Sequence, residues 1–209
     1  MSESVDYFAN HRLKLRFPWS LYHRPIVAGL QAAIGASPGP EVLNIGAGPF
    51  LELASLDARG RRITVCDIDE RAVELAKQLH RDALAAADRV EAGAPLPYPD
   101  DRFDLVVAMD VIEHLPDPLP WLRELVRVTR RGGHLFLTTP NYASKSLIAL
   151  ETTALELVAR MQGFSRDGLH PSKLDPESFR ALLEAAGAHR IDIELLSFGW
   201  VLSGRARKP

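Results

Sequence analysis

The chain has 209 residues, 46% of them hydrophobic and 25% charged, which suits one compact domain with a substantial core. A formal charge of −2 gives no electrostatic reason to expect nucleic acid, the single cysteine, Cys66, excludes a disulfide within the chain, and no stretch approaches the ~18 apolar residues of a membrane span. Met1-Ser2-Glu3-Ser4 lacks the basic start and apolar core of a secretory leader, so the expected compartment is cytoplasmic.

Residues 5–24 crowd Tyr7, Phe8, Phe17, Trp19 and Tyr22 together with His11, Arg12, Arg16, His23 and Arg24. Packing against a sheet accounts for such amphipathic material, and a ligand-facing role is the alternative. Pro25 is suited to open a helix with Ile26, Val27, Leu30 and Ile34 on one face, closed by Gly35 and the turn Ser37-Pro38-Gly39-Pro40. Residues 41–56, EVLNIGAGPFLELASL, then read as strand, glycine turn and helix. Val42, Leu43 and Ile45 form the apolar run and Gly46-Ala47-Gly48 breaks it. Phe50, Leu51, Leu53, Ala54 and Leu56 resume with helical spacing, with Pro49 suited to the first helical position. Glycines at such a turn let the backbone approach a ligand, and a following helix turns free N–H groups and a positive dipole end toward it. A dinucleotide fingerprint would want glycine at Leu51, which argues against NAD.

Residues 63–66 read as a second strand ending in Asp67-Ile68-Asp69, with Cys66 a buried thiol and Asp69 the cap of a helix that carries Ala72, Val73, Ala76 and Leu79. Val90-Glu91-Ala92 looks like a brief third strand, followed by a loop that Pro95, Pro97 and Pro99 make rigid. FDLVVAM, residues 103–109, is apolar throughout, as a parallel strand covered on both faces should be. After it come Asp110 to Asp117, a helix with Leu119, Leu122, Leu125, Val126 and Thr129 inward that stops at Gly132-Gly133, and a fifth strand over residues 134–139. Residues 144–162 carry Leu147, Leu150, Ala154, Leu157, Val158 and Met161 at helical spacing and lead into the polar loop Ser165-Arg166-Asp167-Gly168-Leu169-His170. A substrate wall and a dimer contact are the two readings of this insertion. Asp175 and Pro176 start a last helix with Phe179, Leu182, Leu183 and Ala186, and alternating Ile191, Ile193 and Leu195 are joined to Trp200-Val201-Leu202 by a link short enough to require antiparallel strands.

The segment 41–56 and above all the continuous pattern MDVIEHLPDPLPWLRELVRVTRRGGHLFLTTPN, residues 109–141, resemble the class I S-adenosylmethionine-dependent methyltransferases, in the group that includes ubiquinone-pathway O-methyltransferases. Asn44 stands where that family usually has a carboxylate, Phe50 where it has a third glycine, and Ala92 where many relatives have an Asp. Alternation of strand and helix from Glu41 onward supports an α/β fold directly. The resemblance adds a three-layer Rossmann-like sheet of seven strands, mostly parallel with an antiparallel last strand. It implies a single domain over 1–209, with an N-terminal helical cap at 1–40 and a substrate-side insertion at 142–170.

The resemblance also implies S-adenosylmethionine as cofactor and methyl transfer to a small-molecule acceptor, expected at a hydroxyl oxygen. A monomer or homodimer is expected, and from charge and the lack of an apolar span no nucleic-acid or membrane partner. The expected cofactor residues are Asn44, Gly46, Ala47 and Gly48 at the first turn, Met109 through its backbone, Gly93 at the adenine edge, and Arg24 at the cofactor carboxylate. Asp67 lies close to the roughly 20-residue offset at which an acid reaches ribose hydroxyls, with Ile68 packing on the adenine. A non-catalytic domain that binds the cofactor as sensor or structural ligand is the alternative.

His114, just past the fourth strand, is the expected catalytic residue. As a base it would take the acceptor's proton. As a brace it would hold the loop. As a ligand it would share one face of a helical turn with Asp110 and Glu113 around a divalent ion. The base is the favoured reading and no metal is assigned.

Overall fold

The computed structural model describes residues 20–155 and 170–209. The aromatic and basic cluster before Ser20 and the loop residues 165–169 lie outside the described residues. Seven strands, β1 Glu41–Ile45, β2 Arg62–Asp67, β3 Leu84–Arg89, β4 Phe103–Met109, β5 Thr129–Pro140, β6 His189–Leu196 and β7 Val201–Arg207, form one sheet in the order β3-β2-β1-β4-β5-β7-β6. β1 pairs in parallel with β2 and β4, β2 with β3, and β4 with β5, whereas β7 runs antiparallel to both β5 and β6. Among the described residues the α-helices are α1 Ser20–Gly35, α2 Glu70–Leu79, α3 Pro118–Val128, α4 Lys145–Leu150 and α5 Pro176–Ala185. The three-layer α/β fold with an antiparallel last strand is as the sequence implied.

Successive strand residues face opposite sides, so each central strand feeds two cores. Leu43, Ile45 and Val106 pack with Leu122, Leu125, Phe179 and Leu183 on one side, and Val42, Val65 and Val107 pack with Leu30, Ile34 and Phe136 on the other. Asp69, Asp117 and Asp175 accept backbone N–H bonds at the starts of α2, α3 and α5, and Asp175 forms a full capping box with Ser178. At the amino end of the sheet, buried Asp104 accepts from Arg130 (2.6 Å) and from the backbone N–H of Glu41 (3.0 Å), tying the starts of β4, β5 and β1 together. The strand order reverses between β1 and β4, so the opposite, carboxyl edge at these two strands is the switch point where open α/β sheets place ligands.

Four local expectations are corrected. Pro25 does not open α1 but lies inside it. The segment after the glycine turn is a short 3₁₀ helix, Leu51–Ser55, and Pro49 stands outside it. Phe50 precedes that helix in the left-handed region (φ 49°), which directs its ring into the core, where it is 1% exposed. The third strand is Leu84–Arg89 rather than residues 90–92, although the Val90 N–H still bonds the Asp67 carbonyl (3.0 Å). α3 stops at Val128, where the Thr129 hydroxyl donates to the Leu125 carbonyl (2.7 Å), and β5 begins at Thr129 instead of His134.

Cys66 is buried, as expected, and burial pushes its thiol up to about 12, with the nearby Asp67 and Asp88 carboxylates acting in the same direction. At pH 8 the folded chain should therefore be inert to a thiol reagent while the denatured chain reacts once. Labelling of the native protein at the denatured rate would contradict this burial.

Candidate cofactor and acceptor site

The turn after β1 is closed on itself. Gly46, at φ 65°, donates its N–H to the Cys66 carbonyl (2.8 Å), Gly48 donates to Asp67 Oδ2 (2.8 Å), and Phe50 donates to the Ala47 carbonyl (3.1 Å). The expected free N–H groups and helix dipole at this turn are therefore not its main asset. Its asset is close approach: a Cβ placed on Gly46 would stand 2.5 Å from Val111 Cγ2, so the loop after β4 rests directly on this glycine.

Asp67 ends β2, and its second oxygen, Oδ1, accepts from the Asp69 N–H (2.9 Å). Asp69, not Asp67, caps α2 by accepting from Arg71 N–H (2.9 Å). Ile68 between them is 60% exposed, an apolar side chain facing solvent at the sheet edge. Gly93, exposed at φ 75°, follows the end of β3. Met109 and Asp110 at the end of β4, with Gly46 and Ala47, line a cleft of about 40 Å³ that α1 covers with His23, Ile26 and Val27. Arg24 is exposed and does not line this cleft; the helix presents His23 instead. Asn44 is 1% exposed inside β1, and neither amide atom has a hydrogen-bond partner among the described residues.

Gly46, Ala47, Gly48, Asp67, Ile68, Gly93 and Met109 are thus brought to one edge, while Arg24 lies outside the cleft and Asn44 beneath it. A carboxylate at the end of β2, an exposed apolar side chain beside it and a glycine turn suit a nucleoside with a polar tail. The cleft is far smaller than the ~300 Å³ at which ligand pockets begin, so α1 must yield for such a tail to enter.

Beyond β4 the chain turns sharply. Asp110 is left-handed (φ 53°), its N–H bonds the Thr138 carbonyl (3.0 Å), and its Oδ1 accepts from Thr138 Oγ1 (2.9 Å). A 3₁₀ turn, Ile112–His114, follows, with Glu113 buried and accepting from Thr139 Oγ1 (3.1 Å), and His114 exposed. The His170 ring meets that of His114 edge-on at 4.9 Å, and His170 Nδ1 lies 2.5 Å from the Tyr142 hydroxyl. Two bonds fasten this distant segment to the turn, Ser172 N–H to the Glu113 carbonyl (3.2 Å) and Ser172 Oγ to the Leu115 carbonyl (2.6 Å). Glu113, His114 and His170 each offer one ligating atom within 4.8 Å of the others. The face expected to hold Asp110, Glu113 and His114 is corrected: the left-handed residue turns the Asp110 carboxylate to Thr138, and His170 takes its place. Burial pushes the Tyr22 phenol well above its ordinary value, and the charges of Asp110, Glu113 and Glu151 push the same way, so it stays protonated. Tyr22 and Tyr142 were not singled out by the sequence as site residues, and His170 only as part of a polar loop.

Residues 43–137 match the family model described as a methyltransferase domain. A ubiquinone biosynthesis O-methyltransferase of Xanthomonas campestris is 30% identical over 156 residues, which are 72% of this chain and 65% of that protein. The chain thus spans less than two-thirds of that relative. A crystal structure of an S-adenosylmethionine-dependent methyltransferase from Aquifex aeolicus superposes with TM-score 0.66 at 18% identity, covering 94% of this chain and 96% of that one. A structure from Bordetella parapertussis described as a possible exported protein gives 0.74 at 22% identity, covering 93% and 70%. These two likenesses show the fold.

The Gly46–Val111 contact can be tested directly. Gly46→Ala adds a side chain at a left-handed position, costing roughly 1–2 kcal/mol, and overlaps Val111 besides. Denaturant unfolding should show a loss above about 1 kcal/mol, and Val111→Ala in the same chain should recover part of it. Strict additivity of the two substitutions would refute the contact.

Proposed function

With residues 43–137 matching the methyltransferase domain model, we propose that this chain transfers a methyl group from S-adenosylmethionine to a small-molecule acceptor, at a hydroxyl oxygen. The observation that carries the reading is the Asp67 carboxylate at the end of β2, bonded to the glycine turn and followed by exposed Ile68. Asp67 meets the ribose hydroxyls, Ile68 packs on the adenine, Gly93 lies at the adenine edge, and Gly46, Ala47, Gly48 and Met109 face the rest of the ligand through their backbone. Asn44 supports the turn from below, and His23 takes the place at the tail that Arg24 was expected to fill. The cofactor supplies a methyl group already activated on a sulfonium, so the protein's work is alignment and exclusion of water. α1 provides the cover through Ile26 and Val27. Protonated Tyr22 is a hydrogen-bond donor beside the acceptor, and His114 stands where it activates the acceptor hydroxyl.

Oxygen as the acceptor atom rests on the printed name of the Xanthomonas campestris relative. Among the described residues no helix is long and apolar enough to cross a membrane, and we place the enzyme in the cytoplasm as a monomer or homodimer. A non-catalytic cofactor-binding domain is the rival, favoured by Asn44, by Phe50 filling the core under the turn, and by the narrow cleft.

Calorimetric titration with S-adenosylmethionine, S-adenosylhomocysteine and NAD should give heat with the two sulfur ligands and none with NAD. Asp67→Ala should weaken S-adenosylmethionine by about 1.5 to 3 kcal/mol, roughly ten- to a hundredfold. Wild-type binding without transfer to any hydroxyl, amine or carbon acceptor would favour the rival, and unchanged affinity in the variant would remove the ribose assignment.

A further inference from the structure

We infer that Glu113, His114 and His170 form a binding site for one divalent transition-metal ion, with Zn²⁺ the best match. Two imidazoles and one carboxylate, each with a ligating atom within 4.8 Å of the others, are a donor set that three-ligand zinc sites use while leaving a position open to substrate. Mg²⁺ is disfavoured, because it demands a shell of oxygen ligands. The site has outer support as well. The Tyr142 hydroxyl engages His170 Nδ1, and Thr139 Oγ1 holds one oxygen of Glu113. Ser172 supplies the rigidity a metal site needs, since its two bonds hold the segment after His170 against the turn that carries Glu113 and His114.

The turn follows Met109 and Asp110, which line the cleft at the end of β4, so the ion lies on the acceptor side of the site. There an open coordination position takes an acceptor oxygen, lowers its pKa and holds the oxyanion in place for attack, while the proton leaves to water. This chemical role rests on the methyl-transfer reading; ion binding does not. His114 then activates the hydroxyl as a ligand rather than as a base.

The test begins with chelator-treated, full-length protein. Calorimetry with Zn²⁺ should show one ion per chain, and Co²⁺ should give visible absorption bands of low coordination. Tyr142→Phe should weaken Zn²⁺ about 10- to 100-fold, as loss of an outer partner does, and His170→Ala should weaken it more. Asp110→Asn should leave metal affinity unchanged. Because Glu113 is buried, the deciding variant is His170→Ala, half-exposed and checked for folding by circular dichroism. No stoichiometric ion, or binding indifferent to His170→Ala in a folded protein, overturns the site, and loss of binding in Asp110→Asn returns the ligand role to Asp110. S-adenosylmethionine affinity measured on the same metal-free sample keeps the two proposals apart: cofactor binding without metal binding fails only this one, and the reverse fails only the methyl-transfer reading.

Discussion

Both oxygens of the Asp67 carboxylate are occupied by backbone N–H groups, Gly48 on one side and Asp69 on the other. One side chain thereby joins the end of β2 to the turn after β1, and that turn in its own right bears on Val111 after β4. From Val111 the connection continues through Asp110 to Thr138 and through Glu113 to Thr139, both in β5, and then through Ser172 to the segment that carries His170. The loops at the switch point are linked in series, so the geometry around Asp67 and that around Glu113 and His114 are set together. A ribose that bonds Asp67 shares an acceptor already in use by the turn, which couples ligand binding to the conformation of Gly48.

Two buried polar side chains show how differently the two ends of the sheet are built. Asp104 at the amino end has each oxygen bonded, one to Arg130 and one to the Glu41 N–H, and stabilises the start of three strands. Asn44, two residues short of the glycine turn, is buried without a partner for either amide atom among the described residues. A buried amide left unpaired costs about 1–3 kcal/mol. That cost falls next to the candidate site, where departures from good packing rules are concentrated in functional proteins.

The strands β1, β2 and β4 were legible because each is a compact apolar run covered on both faces, and α3 and α5 because a capping Asp and a proline mark their starts. β3 was hidden by Ala85, Ala86 and Ala87, which carry no strand preference and show no alternation. The left-handed Phe50 left no trace, since Phe does not favour positive φ, and Asp110 left only a weak one, since Asp adopts positive φ more readily than most residues but far less often than not. Assigning the helix start to Pro25 concealed that residues 23, 26, 27, 30 and 34 share one face, which puts His23 rather than Arg24 toward the cleft. His170 could not be found as a partner of Glu113 and His114, because a lone histidine in a polar loop has no spacing that points across the fold to a turn so far back in the chain.

Pro25 has a mechanical consequence. With no N–H to return to the carbonyl of Leu21, it removes one rung of the helical ladder between the first turn of α1 and the rest. That turn carries Tyr22, near Asp110, Glu113 and Glu151, and His23, over the cleft. The bond from Ser197 Oγ to the Tyr22 carbonyl (2.6 Å) fastens it to the link between β6 and β7. The covering helix is therefore least strongly bonded at this residue, and a small bend there would widen the narrow space beneath it while the half of α1 that packs on the sheet stays in place.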